Sequence, residues 1–151
     1  MKFTLKEILD ELTQVITDQS IVFKTTVVTL DDLLIKVSEN KNDYFGAFIV
    51  YDQNRITLGE WSTTLPLTII FADKLRPNRE NEIYIHSNTL SLAVDVVKIL
   101  RTWCKDKGID GLNGVSLDLW SEDEADSLLS GSKIDFNLII DIGGYCDYPT
   151  D

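Results

Sequence analysis

The chain has 151 residues, 44% of them hydrophobic, with a formal net charge of −11 and a mean hydropathy of −0.02. That size fits one domain over residues 1–151, burying about two-thirds of its unfolded surface, and the composition excludes a disordered chain. The acidity argues against an extensive phosphate-neutralising surface, because such surfaces need clustered Lys and Arg and no dense basic run is present.

No apolar run approaches the roughly 20 residues that cross a bilayer, so no membrane partner is expected. The start, MKFTLKEILDEL, carries acidic residues within its apolar pattern and does not read as a signal peptide. The expected setting is the inside of a cell.

Residues 4–18 are predicted as the first helix. Thr4-Leu5-Lys6-Glu7 is a capping box, and Leu5, Ile8, Leu9, Leu12, Val15 and Ile16 form a stripe at helical spacing. Residues 21–28, IVFKTTVV, are rich in β-branched side chains and predict a strand. Residues 29–37 are ambiguous between a short helix capped by Thr29, with Asp31 and Asp32 in its first turn, and a strand over LLIKV. Residues 38–43 read as a turn. The apolar run at 44–52, YFGAFIVYD, predicts a central strand, followed by a hairpin turn at Asp52-Gln53-Asn54-Arg55. Its partner runs from Ile56 to Asp73, with Gly59 expected at a bulge and Pro66 at an edge or bend, since proline has no ladder donor. Leu65, Leu67, Ile69 and Phe71 share one face of it; Thr68, Ile70 and Ala72 share the other.

Residues 74–82 read as a charged loop. Residues 87–107 then form a long amphipathic helix. Its stripe is Leu90, Ala93, Val97, Leu100 and Cys104, widened by Leu92, Val96 and Trp103. Ser87, Asn88 and Thr89 are capable N-caps, Lys105 and Lys107 suit the negative helix end, and Gly108 suits C′. A loop at 109–114 leads to a strand at 115–120, an acidic stretch at 121–130, and a turn at Gly131 and Ser132. Residues 133–142 alternate cleanly, with Ile134, Phe136, Leu138, Ile140 and Ile142 facing inward. Residues 143–151 are a polar tail. The order α-β-β-β-α-β-β defines an α+β fold, an antiparallel sheet of about five strands packed by two main helices.

No catalytic, cofactor or metal site emerges from the residues. His86 is the only histidine and is read as structural; no phosphate-binding glycine loop is present. Of the two cysteines, Cys104 reads as a buried apolar position, and Cys146 falls in the tail. The cluster Glu122, Asp123, Glu124 and Asp126 lacks the ligand spacing of a calcium loop and reads as a solvated acidic segment, whose joint neutralisation at 122–124 should spare folding. Asp73 ends a strand, where catalytic carboxylates occur, but no base is placed beside it. Trp103 reads as core, whereas Trp61 and Trp120 are candidate interface anchors. Apolar residues on both sides of the strands suggest a face covered by a neighbouring copy.

The helix and early strands, then LPLTIIFADKL followed by ENEIYIHSNTLSLAVDVVKIL and EDEADSLLSGSKIDFNLII, resemble the tail-terminator or tail-completion proteins of bacteriophages and prophages. The resemblance spans residues 4–142 and includes the aromatic-x-Asp strand end Phe71-Ala72-Asp73. It implies a non-enzymatic subunit of the virion tail, assembled in the host cytoplasm. Such a subunit forms a ring, commonly a hexamer, that ends the tail tube at the head-proximal side and meets the neck or connector. No specific nucleic-acid binding is implied; DNA passes through the ring, and an acidic wall lets it slide. The alternative from the residues alone is a small acidic cytosolic binding or regulatory domain engaging a basic protein. A third reading is a hydrolase using Asp73 and the 122–126 carboxylates.

Overall fold

The computed structural model describes residues 4–18, 24–33, 46–52, 54–122 and 129–141. The readings of residues 19–23, 34–45, 53, 123–128 and 142–151 fall outside these, and with them Tyr44, Gln53, Asp123, Glu124, Asp126, Ile142 and Cys146.

Helix α1 is Leu5–Thr17 and begins as its sequence dictates. The Glu7 backbone N–H donates to the Thr4 hydroxyl at 3.1 Å, and the Thr4 N–H donates to the Glu7 carboxylate at 2.8 Å. Two end donors that the helix itself leaves unpaired are thereby satisfied. Ile8, Leu9, Leu12 and Ile16 are buried beneath it.

The strands are β1 (Lys24–Thr29), β2 (Gly46–Tyr51), β3 (Thr57–Leu58), β4 (Ser62–Lys74), β5 (Asp110–Glu122) and β6 (Leu129–Asp141). The sheet has six strands in the order β1-β2-β4-β6-β5, with β3 paired to β4. It is mostly antiparallel, and the α+β architecture is as the sequence predicts. One pairing differs: β1 and β2 run parallel, which residues 30–45 between them are long enough to connect. The predicted central strand β2 is interior, between β1 and β4. β4 is the middle of the strand order, paired with β6 along its length and on its other side with β2 at Leu67–Ala72 and β3 at Thr63 and Thr64.

β4 is buried on both faces. Leu65, Leu67, Ile69 and Phe71 join Ile49, Ile134, Phe136 and Leu138 in the core beneath the helices. Ile70 and Ala72 join Val28, Phe48, Val50 and Leu129 in a second cluster on the opposite face. That part of the second face is buried within the chain. The remainder is more polar, made of the pairs Thr68–Asp135, Pro66–Asn137 and Thr64–Ile139. Pro66 lies in this central strand, not at an edge. It falls between the β3 ladder, which stops at Thr64, and the β2 ladder, which starts at Leu67. A missing donor is tolerated in such a gap. Gly59 is in a tight hairpin turn rather than a bulge, its N–H donating to the Ser62 carbonyl at 2.7 Å.

Helix α2 is Glu82–Lys107, longer by five residues at its start than the periodicity suggests. The lead-in is a 3-10 turn at Pro77–Arg79, with Asn78 and Arg79 in the left-handed region at φ 60 and 54°. Asn81 ties this turn down, its amide accepting from Arg76 N–H at 2.8 Å and donating to the Lys74 carbonyl at 3.1 Å. Ser87, Asn88 and Thr89 are therefore not caps but lie inside the helix. The buried stripe is Ile85, Thr89, Leu92, Ala93, Val96, Leu100 and Cys104, while Leu90 and Val97 are only half-buried. At the far end Gly108 adopts φ 66°. Its N–H reaches the Lys105 carbonyl at 3.3 Å, and Ile109 N–H reaches Cys104 at 2.9 Å. This is the Schellman closure that only an easy left-handed residue allows. By length and composition α2 would also pass for a membrane-crossing helix, but its stripe is committed to the sheet. Lys107 bridges to Glu11 of α1 at 2.9 Å.

Of the 109–114 segment, expected as a loop, residues 110–114 are the first part of β5. Register breaks at Gly111/Asn113 and Asn113/Ser116 accommodate it, with Leu112 and Gly114 at φ 64 and 68°. Such bulges take up extra residues while the strand continues. Gly131 and Ser132, expected to turn the chain, lie within β6 and face Ala72 and Phe71 of β4.

Candidate functional site

The pairing that sequence spacing could not reveal is between His86 and Ser130. His86 Nε2 lies 2.8 Å from Ser130 Oγ, and Ser130 Oγ is 3.5 Å from the Trp120 carbonyl. One turn on, Thr89 Oγ1 donates to the Ile85 carbonyl at 2.8 Å, which leaves Ser132 Oγ to donate to Thr89 at 2.7 Å. A hydroxyl beside an imidazole is the geometry of a nucleophile and its base. Ser130, however, is 0% exposed. The contacts satisfy buried polar groups where the start of α2 lies on β6.

Asp73 is register-paired with Ser130, and its carboxylate accepts the Lys74 N–H at 2.7 Å. It turns the chain out of the sheet. Glu122 ends β5. Cys104 is buried on the stripe of α2. Trp103 is half-buried and lines an open groove of about 450 Å³ with Lys98, Ile99, Thr102 and Asp106, near the other end of α2 from His86. Trp120 is half-buried against the second cluster. Among the described residues no three His, Cys, Asp or Glu side chains gather as a metal ion needs.

The open half of the second sheet face is neutralised internally. Thr68 Oγ1 donates to Asp135 at 2.5 Å, Lys133 Nζ lies 3.5 Å from the same carboxylate, and Ser116 donates to Asp118 at 2.9 Å. The outer edge of β5 exposes Leu117 and Leu119, but the bulges and Asp118 are devices that discourage a further strand from adding there.

Among the described residues, the four most exposed large apolar side chains lie elsewhere, at two places. The β3–β4 hairpin carries Leu58 at 79% and Trp61 at 63% exposure, and the first turn of α2 carries Ile83 at 84% and Tyr84 at 71%. The hairpin precedes Ser62 at one end of β4; α2 starts beyond Lys74 at the other. Thirteen residues of strand separate the two places by about 40 Å at the usual rise per residue. Large apolar side chains so exposed are candidate contact sites. The sequence singled out Trp61 among them. Ile83 and Tyr84 were hidden because they fall between the loop read at 74–82 and the helix read from residue 87.

Compared with known proteins, the chain matches no family model and no curated sequence.

Proposed function

We propose that this chain is a non-enzymatic structural subunit of a bacteriophage or prophage tail, a terminator that assembles into a ring on the head-proximal end of the tail tube and joins it to the neck. The observation that carries the reading is the pair of exposed apolar sites at opposite ends of β4. A subunit with two different contact sites associates head to tail, and such contacts close into rings when the rotation between neighbours permits. The rigid sheet between them holds the sites at fixed separation and angle, as closure requires. The sequence resemblance supplies the setting, and the acidic composition is compatible with a channel through which DNA slides. The buried Ser130–His86 pair and the neutralised sheet face give no support to a hydrolase.

Native mass spectrometry of the protein, alone and with a purified phage tail-tube protein, tests this reading. Closed rings of defined copy number, favoured by tube protein, are the expected result. A monomer under both conditions would overturn it and favour the small acidic binding domain instead.

A further inference from the structure

The two apolar sites differ in charge as well as in shape. At the hairpin, the exposed Glu60 stands between Leu58 and Trp61. At the helix start, Lys74 and Arg76 are exposed, while Arg79 is held by Glu82 at 2.6 Å. Glu80 is the remaining exposed acid of that loop. A tip-to-tip contact between two hairpins brings the two Glu60 carboxylates together, and two helix starts bring together two segments in which the exposed cations Lys74 and Arg76 outnumber the exposed acid Glu80. Both arrangements crowd like charges as their apolar residues come into contact, a cost that grows as water leaves. The mixed contact sets Glu60 against Lys74 and Arg76 around a shared apolar centre of Leu58, Trp61, Ile83 and Tyr84.

We infer that the hairpin of one copy docks on the Lys74–Tyr84 segment of the next, so that every copy uses both ends. The inference rests on the reading of the chain as an assembly subunit and specifies its self-contact. The hairpin suits the role physically. It projects past the end of β2, and a two-residue β3 is too short to recruit another strand, leaving side chains to make the contact.

A mixing experiment tests it. Leu58→Asp removes the hairpin site and Ile83→Asp removes the helix site; both positions are largely exposed, so thermal unfolding should match the wild type. Tyr84→Asp serves as a second helix-site variant should Ile83→Asp be less stable. By sedimentation at concentrations up to millimolar, the wild type should associate beyond a dimer, and each variant alone should remain monomeric. Mixed in equal amounts, the two variants should form a one-to-one dimer and stop, because one intact hairpin meets one intact helix start. A wild type that stays monomeric, a variant that assembles alone, or a mixture that forms no dimer would each overturn the inference. The outcome is separable from that of the wider proposal. If the mixture fails while rings still form on tube protein, the head-to-tail pairing falls and the terminator reading stands.

Discussion

Replacing Gly131 by Ala should destabilise the fold more than any other single methyl group added to it. Gly131 lies inside β6, between Ala72 of β4 and Trp120 of β5. A Cβ there would meet the Phe71 carbonyl oxygen at 1.8 Å, Phe71 C at 2.8 Å and Ala72 Cα at 2.9 Å. All three are backbone atoms, so no side chain can rotate away. Relief requires β4 and β6 to part by about an ångström or more, in a ladder where strands normally lie about 4.8 Å apart. Overpacking that side chains can absorb costs about 1–3 kcal/mol, and each ladder hydrogen bond stretched adds about 1 kcal/mol. Alanine recovers only about 0.4–1 kcal/mol by restricting the unfolded chain. The net loss is about 4 kcal/mol, a large share of the roughly 5–15 kcal/mol that holds a domain together. At about 2–4 °C per kcal/mol for a chain of this size, the melting temperature should fall by roughly 8–16 °C. Circular dichroism against temperature and urea would measure it. A change within about 0.5 kcal/mol, the range of an ordinary surface substitution, would refute the close approach of β4 and β6.

Three further predictions concern the helices. Leu100→Asp should prevent folding, since Leu100 is 1% exposed and an unpaired carboxylate there costs several kcal/mol; Val97→Asp, at a half-buried position, should fold with reduced stability, and near-equal urea midpoints would contradict the placement of the stripe. Thr89→Val and Ser132→Ala should each cost about 1–2 kcal/mol by orphaning a buried hydroxyl, and the double variant should cost less than their sum; strict additivity would show that the two oxygens do not interact. Thr4→Ala should cost about 1 kcal/mol through loss of the capping box, and Glu7→Gln should cost less, because a glutamine at that position can still reach back to the N-cap.

What could be read from the sequence follows from which physical signals are local. The capping box at Thr4 and Glu7 and the alternation Ile134, Phe136, Leu138, Ile140 each span a few residues, and both elements appear as expected. Both faces of β4 were legible too, because period-two alternation separates Leu67, Ile69 and Phe71 from Ile70 and Ala72. The start of α2 was not, since Ile83 and Tyr84 face water and break the apolar stripe that periodicity relies on. The first half of β5 was hidden by Gly111 and Gly114, which signal turns but here accompany bulges. Gly131 misled for a related reason: a glycine next to serine reads as a turn, yet here it permits close strand packing. The His86–Ser130 contact joins residues 44 apart, and nothing local announces it. Of the two apolar ends, Trp61 stood out by residue type; the partner end depended on knowing where α2 begins.

The most direct test of the terminator reading is the growth of tail tubes. Purified tube protein should be allowed to polymerise with and without this chain, and tube lengths and ends should be recorded by electron microscopy. The account predicts that the added protein arrests elongation and leaves a ring at one end of each tube. Tubes of unchanged length with bare ends, at concentrations where the protein is folded and in excess, would contradict it.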